Sequence, residues 1–404
     1  MATKVVSSEN IGSGVRETVA HYGELYVTKT GAIGSTDDYG VFGGGSYATV
    51  YVEGTIAGAK SGIRLGDDAD SDKGNALYLQ ASAFIGGSAD DFAVEVYGTG
   101  NLIENHGTIW SKSVMGDGIF VAAVGTSGET VLANTGLIDV RDTAIRHAGS
   151  ETLRIENSGV IKGKEAITAV DEGRVLLTNT GVIKGLVTLG DGNDTFDTRK
   201  GTFEGVVSGG KGGDTIYGSK TGNNLAGDQG EDTLYGEGGN DYITGNDDAD
   251  KLYGGAGNDQ IDGGAGSDVL KGGSGKDTIV AGDDSDTIDG GAGQDVFYGD
   301  GGSDLFVFRL ADTGKTAATA DTINDFESGD HIGLDLMDAN TKVSGNQAFT
   351  FIGADAFSGQ AGQLRFEKLS SDAFVYGDVN GDKKADFVIH LDDPSALKAG
   401  DFIL

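Results

Sequence analysis

Gly254-Gly255-Ala256-Gly257-Asn258-Asp259-Gln260-Ile261-Asp262 runs directly into Gly263-Gly264-Ala265-Gly266-Ser267-Asp268-Val269-Leu270-Lys271. The shared pattern is Gly-Gly-x-Gly-x-Asp-x-apolar-x. It extends in both directions, from Gly209 to Val307, as eleven nonapeptides in 99 residues without insertion or deletion. The sixth position is Asp214, Asn223, Asp232, Asp241, Asp250, Asp259, Asp268, Asp277, Asp286, Asp295 and Asp304. The eighth is always apolar: Ile216, Leu225, Leu234, Ile243, Leu252, Ile261, Leu270, Ile279, Ile288, Phe297 and Phe306. An acidic, glycine-rich linker that stayed disordered would not need an apolar residue locked nine apart.

The nonamer reads as a six-residue turn followed by a three-residue strand. Glycine supplies positive φ and close backbone approach in the turn. The strand's eighth residue points inward and its neighbours point out. Two nonamers then make one coil, so strands stack every eighteen residues. Asp214, Asp232, Asp250, Asp268, Asp286 and Asp304 fall on one edge. Asn223, Asp241, Asp259, Asp277 and Asp295 fall on the other. Stacked carboxylates repel unless a hard cation lies between successive coils, with turn carbonyls as further ligands. An oxygen-only, acidic ligand set points to Ca²⁺ over a transition metal. The edges hold five and four neighbouring pairs, and Asn223/Asp241 lacks one carboxylate, so about eight good sites are expected.

This tract closely resembles the RTX repeats of secreted bacterial proteins, whose nonamer is the signature of a calcium β-roll. Gly190-Asp191-Gly192-Asn193-Asp194-Thr195-Phe196 looks like a further copy upstream, with Asp194 as its ligand. Asp194 precedes Asp214 by twenty residues, not eighteen, so a small bulge or a junction between two solenoid types is expected there.

The chain of 404 residues has 72 glycines, one proline, no cysteine and a net charge of −34. Disulfides and thiolate metal sites are excluded. The charge argues against nucleic acid and anionic membrane as partners, and it opposes compaction unless counter-ions bind. No apolar run is long enough for a transmembrane helix. Met1 to Asn10 lacks a signal-peptide apolar region, so export is expected to be directed from elsewhere.

Residues 1–186 carry a different repeat, apolar-x-Asn-x-Gly-x-Ile. It appears at Asn105 to Ile109, Asn134 to Ile138, Asn157 to Ile161 and Asn179 to Ile183, with weaker copies ending at Ile33, Ile56 and Ile85. The isoleucines are 23, 29, 24, 29, 23 and 22 residues apart. A second apolar strand follows at Val41, Ile63, Ala93, Ile119, Ile145 and Ile167. A third precedes the next Asn, as in Val131-Leu132, Leu153-Arg154-Ile155 and Val175-Leu176-Leu177. Three short strands per turn of about 22 residues is the arithmetic of a right-handed parallel β-helix. Each Asn would sit at a turn, its amide bonded to the coils above and below. Antiparallel sandwich hairpins would not repeat one turn string at this period.

Three surface features are candidates for further chemistry. Asp68, Asp70 and Asp72 alternate in a loop and are candidates for another Ca²⁺, although the glycine comes one residue late for an EF-hand loop. Lys112, Arg141, Lys162, Lys164 and Lys184 follow successive isoleucines, either as a stripe for an acidic extracellular polysaccharide or as an ordinary solvated face. Asp139, Arg141, Asp142 and Arg146 cluster on one coil, as a β-helix lyase or epimerase would need; His147 beside them reads as a turn residue. The five histidines form no His-Glu-x-x-His, and there is no Gly-x-Ser-x-Gly elbow and no P-loop. No catalytic residue is assigned.

From Arg309 the nine-residue period stops. Asp321 to Ile332, Phe349 to Gly353, Phe357 to Leu364 and Gly377 to Phe387 are similar to the C-terminal domain that follows the β-roll in serralysins; the protease domain of that family is absent. The terminal Asp401-Phe402-Ile403-Leu404 resembles an uncleaved type I secretion signal. The resemblance implies a type I secretion apparatus as a partner and a secreted, extracellular or cell-surface location. Phe349, Phe351, Phe366, Phe374, Tyr376, Phe387 and Ile389 alternate with polar residues, as strands capping the roll would. Asp378, Asn380, Asp382 and Asp386 are candidates for one more Ca²⁺ or for a metal-free turn.

The sequence therefore predicts an all-β chain in three segments: a β-helix (1–186), a calcium β-roll (187–308) and a β-sandwich-like secretion and capping domain (309–404). Two functions fit. One is a non-enzymatic adhesive, matrix or surface protein folded by extracellular Ca²⁺. The other is a polysaccharide lyase or epimerase carrying an RTX export module.

Overall fold

The computed structural model describes residues 3–67, 72–87, 92–111, 116–123, 128–392, 394 and 397–404. The described residues are nearly all β, with most strands stacked in parallel as the coils of a β-solenoid. Contacts divide it into two compact units, Met1–Ser219 and Lys220–Leu404.

In the first unit a coil is built as the sequence suggests, for example from Glu129–Asn134, Leu137–Val140 and Thr143–Gly149. The unevenly spaced isoleucines form one register. Ile33 pairs with Ile56, Ile56 with Ile85, Ile85 with Ile109, Ile109 with Ile138, Ile138 with Ile161 and Ile161 with Ile183. All are buried, because their neighbours on each strand point to the opposite face. In the second strand the in-register residue is Val94, which pairs with Ile63 and Ile119, and not Ala93. Ala93 is also buried, but it lies just before the strand, where its carbonyl accepts the Ile63 N–H.

Two polar ladders close the corners of this unit. Asn105 Nδ2 donates to Asn134 Oδ1, Asn134 to Asn157 and Asn157 to Asn179, each at 2.7 Å, and Asn179 donates to Thr198 Oγ1 at 2.9 Å. Oδ1 of Asn105 and of Asn179 also accepts a backbone N–H, from Gly107 and Gly181 respectively, so the buried amides satisfy one another. The opposite corner precedes the third strand. There the Ala48 N–H donates to Asn75 Oδ1, the Asn75 N–H to Asn101 Oδ1, and the Asn101 N–H to Thr130 Oγ1, whose hydroxyl donates to the buried Glu151. Further along the chain this same corner is occupied by Asp194 and Asp214.

The junction between repeat types also lies in this unit. Leu132, Ile155, Leu177, Phe196 and Ile216 form one stacked column, so the third-strand column of the β-helix becomes the eighth position of the nonamers. The coil from Thr195 to Asp214 is twenty residues long, and it keeps the Asp194/Asp214 alignment.

In the second unit the stacking interval is eighteen residues. Leu225, Ile243, Ile261, Ile279 and Phe297 form one column, and Leu234, Leu252, Leu270, Ile288 and Phe306 the other. Both columns outlast the repeats: Phe297 pairs with Ile323 and Ile323 with Leu391, while Phe306 pairs with Ile332 and Ile332 with Phe402. Gln363–Lys368, Asp372–Asp378 and Phe387–Asp392 add an antiparallel sheet. Its buried face is Leu364, Ala373, Val375, Ile389 and Leu391 with Phe387; Phe366 pairs with Val375 on this same face but is only half-buried, whereas Phe374 and Tyr376, expected inside, are half-buried on the other face. Phe374 lies against His390 with ring centroids 4.7 Å apart.

Candidate metal centre

Within a nonamer the glycines have two different duties. Position two is left-handed throughout the second unit, even where the residue is Asp228 (φ 77°), Glu237 (71°), Asn246 (84°) or Asp300 (53°). Position one is held to glycine by space. A Cβ on Gly254 would lie 2.4 Å from Asp259 Oδ2 and 2.6 Å from the Gly272 carbonyl of the next coil. Gly236, Gly245, Gly263 and Gly272 repeat this, each facing the carboxylate of its own nonamer and a carbonyl one coil on. Carboxylate and carbonyl oxygens thus converge at these five positions, where position one lacks a side chain. Ala281 is the exception among the eleven repeats.

The sixth-position aspartates are almost wholly inside, none more than 3% exposed. Their two oxygens are used differently. Oδ1 accepts the backbone N–H of the sixth residue one coil back. In the second unit Asn223 donates to Asp241 (2.7 Å), Asp232 to Asp250 (2.8 Å), Asp241 to Asp259 (2.8 Å), Asp250 to Asp268 (2.7 Å) and Asp259 to Asp277 (2.8 Å). Asp268 donates to Asp286 (2.7 Å), Asp277 to Asp295 (2.9 Å) and Asp286 to Asp304 (3.0 Å). In the first unit the Val175 N–H donates to Asp194 (2.6 Å) and the Asp194 N–H to Asp214 (2.7 Å). Oδ2 of Asp194, Asp241, Asp250, Asp259, Asp268, Asp277, Asp286, Asp295 and Asp304 is buried with no hydrogen-bond partner.

A buried carboxylate with one idle oxygen is costly to ionise. Burial first, and neighbouring aspartates second, push Asp250 and Asp295 up to about 8 and Asp286 up to about 7. Burial likewise takes Asp194 and Asp241 to about 7, and Asp268, Asp277 and Asp304 to about 6. The fit to a hard divalent cation is good. The donors are all oxygen, each aspartate from Asp241 to Asp304 has one carboxylate oxygen left over, and carbonyls face those of Asp241 to Asp277. This is a ladder and not a cluster: among the described residues no three His, Cys, Asp or Glu side chains converge on one point.

The other candidates fare differently. Asp68, Asp70 and Lys112 lie outside the described residues. Asp72 is buried and accepts the Asp67 N–H at 2.8 Å. Asp378, Asn380, Asp382 and Asp386 form a turn closed on itself, with Asp378 accepting from Asn380, Gly381 and Lys383, and Asp386 from Val379 and Asn380. On the β-helix face the acids are tied to bases of neighbouring coils: Asp139 to Lys162 (3.3 Å), Asp142 to Lys164 (4.0 Å) and Asp117 to Arg146 (3.4 Å). Lys184 is bound to Glu204 at 2.7 Å. His147 is buried, which pushes its imidazole down to about 4 and keeps it neutral. Asp321 and Asp330, which the sequence reading passed over, accept the Asp295 and Asp304 N–H groups, each at 3.0 Å. Their signal was present as Asp-Thr-Ile and Asp-His-Ile nine residues apart.

No helix among the described residues is long and apolar enough to cross a membrane. No curated protein matches the chain. The RTX calcium-binding nonapeptide repeat family matches in four copies, at 206–234, 217–251, 235–270 and 271–306. Residues 206–306, with their glycine-framed carboxylate ladder, are therefore an array of RTX calcium-binding nonapeptide repeats.

Proposed function

We propose that the chain is an exported protein whose repeat array is folded by extracellular calcium, with Asp194, Asp214 and the sixth-position aspartates as ligands. The observation that carries this is the row of buried, unpartnered Oδ2 atoms. Each rung needs either a proton or a cation, and cytosolic calcium is too scarce to supply one. Extracellular modules bind Ca²⁺ at roughly 10⁻⁴ to 10⁻³ M. At tenfold excess over its Kd each ion adds about 1.4 kcal/mol. About eight ions then add roughly 11 kcal/mol, comparable with the whole stability of an ordinary domain. The chain would pass a type I apparatus unfolded, directed by its serralysin-like segment 309–404, and fold from that segment and the roll (187–308) toward the β-helix (1–186).

The β-helix is the outward-facing module in this reading, adhesive or matrix-forming and not catalytic. The ion-pairing of Asp117, Asp139 and Asp142 supports that role over acid–base chemistry. An open groove of about 590 Å³ lined by Trp110, Asp139, Arg141, Lys162 and Lys164 favours an anionic polysaccharide as its ligand. Hydrogen exchange on the full chain tests the calcium reading. Amides of 209–307 should be protected in millimolar calcium and exchange freely in chelator, while the Asn105 to Thr198 ladder stays protected in both. Equal protection of 209–307 in chelator overturns it.

A further inference from the structure

The family match ends at residue 306 and the strict nonamer at Val307. The ladder does not end there. The Asp295 N–H donates to Asp321 Oδ1 and the Asp304 N–H to Asp330 Oδ1, each at 3.0 Å, within the 2.7–3.0 Å found between the repeats of this unit. The main chain repeats its own rung: the Thr322 N–H donates to the Asp295 carbonyl and the His331 N–H to that of Asp304, both at 2.8 Å, as the Gln260 N–H does to Asp241. Ile323 and Ile332 continue the two apolar columns. Asp321 and Asp330 are 2% and 5% exposed, Asp321 as deep as the ligands of the array and Asp330 nearly so. Both ladders simply cross a loop, so the interval of eighteen becomes twenty-six.

Asp295 and Asp304 each bring a buried Oδ2 that has no partner, and the coil that follows them is the one carrying Asp321 and Asp330. We propose that Asp321 and Asp330 complete two further calcium sites, one with Asp295 and one with Asp304, outside the recognised repeats. These sites differ from those within the array. At Gly290 and Gly299 the atoms next nearest after the carboxylate belong to the Phe297 and Phe306 rings, not to a carbonyl of the next coil. Asp330 Oδ2 also accepts the Glu327 N–H at 2.8 Å, and Asp325 holds the Gly299 and Asp300 N–H groups. With fewer free protein oxygens, the two terminal ions keep more water and bind more weakly than those in the array.

This rests on calcium being the ion of the array, and the experiment separates the two claims. Asp321→Asn and Asp330→Asn keep an oxygen to accept the backbone N–H and remove the charge. Calcium bound to the full chain is counted by native mass spectrometry across a calcium series. Each variant should lose one ion, or require at least tenfold more calcium to regain it, while the remaining ions titrate as in wild type. An unchanged count and midpoint would make Asp321 and Asp330 structural caps only, and would overturn the inference with the array intact. Terbium-soaked crystals of the wild type give a check that needs no variant. Anomalous peaks at the ladder should include one beside Asp321 and one beside Asp330. Peaks confined to the repeats would overturn it as well, whereas no bound ion anywhere would defeat the calcium reading itself.

Discussion

Asp250→Asn should change sign with the medium. The Asp250 carboxylate accepts the Asp232 N–H at 2.8 Å, and its own N–H goes to Asp268 at 2.7 Å, so it belongs to two gaps in the ladder. An asparagine oxygen can take over the first bond, so the substitution mainly removes charge. In calcium at tenfold excess over Kd each gap contributes about 1.4 kcal/mol. Weakening both costs up to about 2.8 kcal/mol, an upper limit because the amide oxygen still coordinates. In chelator the balance reverses. Burial, then the charges of Asp232, Asp268 and Asp248, push Asp250 up to about 8, above its ordinary value of 3.8. A carboxyl raised on folding contributes stability that is complete below its unfolded pKa and is lost as pH rises through the folded one. At about pH 7.5 the ion-free fold has lost most of that contribution, and asparagine has none to lose. Allowing for screening at the roll's edge, the variant should gain on the order of 2 kcal/mol over wild type in chelator. The gain should vanish near pH 4. Denaturant melts of both full-length chains, with and without calcium and at both pH values, read this directly. Destabilisation of the same size in chelator and in calcium would refute the idea that the ladder holds an uncompensated carboxylate.

The glycine at position one offers a reciprocal pair. Gly254→Ala places a methyl between Asp259 Oδ2 and the Gly272 carbonyl, and should raise the calcium midpoint by several-fold with the fold retained; Ala281→Gly should lower it. Titrations monitored by circular dichroism check both, and equal midpoints would remove the steric role. Asn157→Leu removes the 2.7 Å bonds that Asn134 Nδ2 gives and Asn179 Oδ1 receives, leaving them only their weaker backbone partners, at a cost of about 1–3 kcal/mol. That loss should be the same in calcium and in chelator, as measured by hydrogen exchange in the β-helix.

Much of the molecule could be read from residue order because each coil repeats one physical decision. The isoleucines from Ile33 to Ile183 kept their column although their spacing varied from 22 to 29, since loops absorb insertions outside the strands. Asn134 and Asn157 were legible as a ladder because a buried amide has to find a partner. The eighteen-residue stacking followed from the nonamer alone. What escaped depended on depth and on distance along the chain. Val94 beside Ala93 is a one-residue choice that only pairing resolves. Asp321 and Asp330 were hidden by the extra residues that follow Val307, which broke the period but not the stacking. The division of duty between the first and second positions escaped because the consensus reads both as Gly, and only the positive φ at Glu237 and the close approach at Gly254 show which position needs φ and which needs space. Phe374 and Tyr376 misled because alternation identifies two faces without saying which is covered.

The two corner ladders have unequal arithmetic, and this makes the repeat array a length-changing element. Asparagines from Asn105 to Asn179 pair with one another; the aspartates from Asp241 to Asp304 each leave one oxygen over. The nine nonamers from Gly227 to Val307 comprise 81 residues. Disordered, they would span about 50 Å between their ends. Stacked as four and a half coils they would measure about 22 Å. Calcium binding would therefore shorten the connection by more than half and pull on whatever is attached at either side. A chain held at one end by an export channel and at the other by folded coils would feel that shortening as a force directed outward.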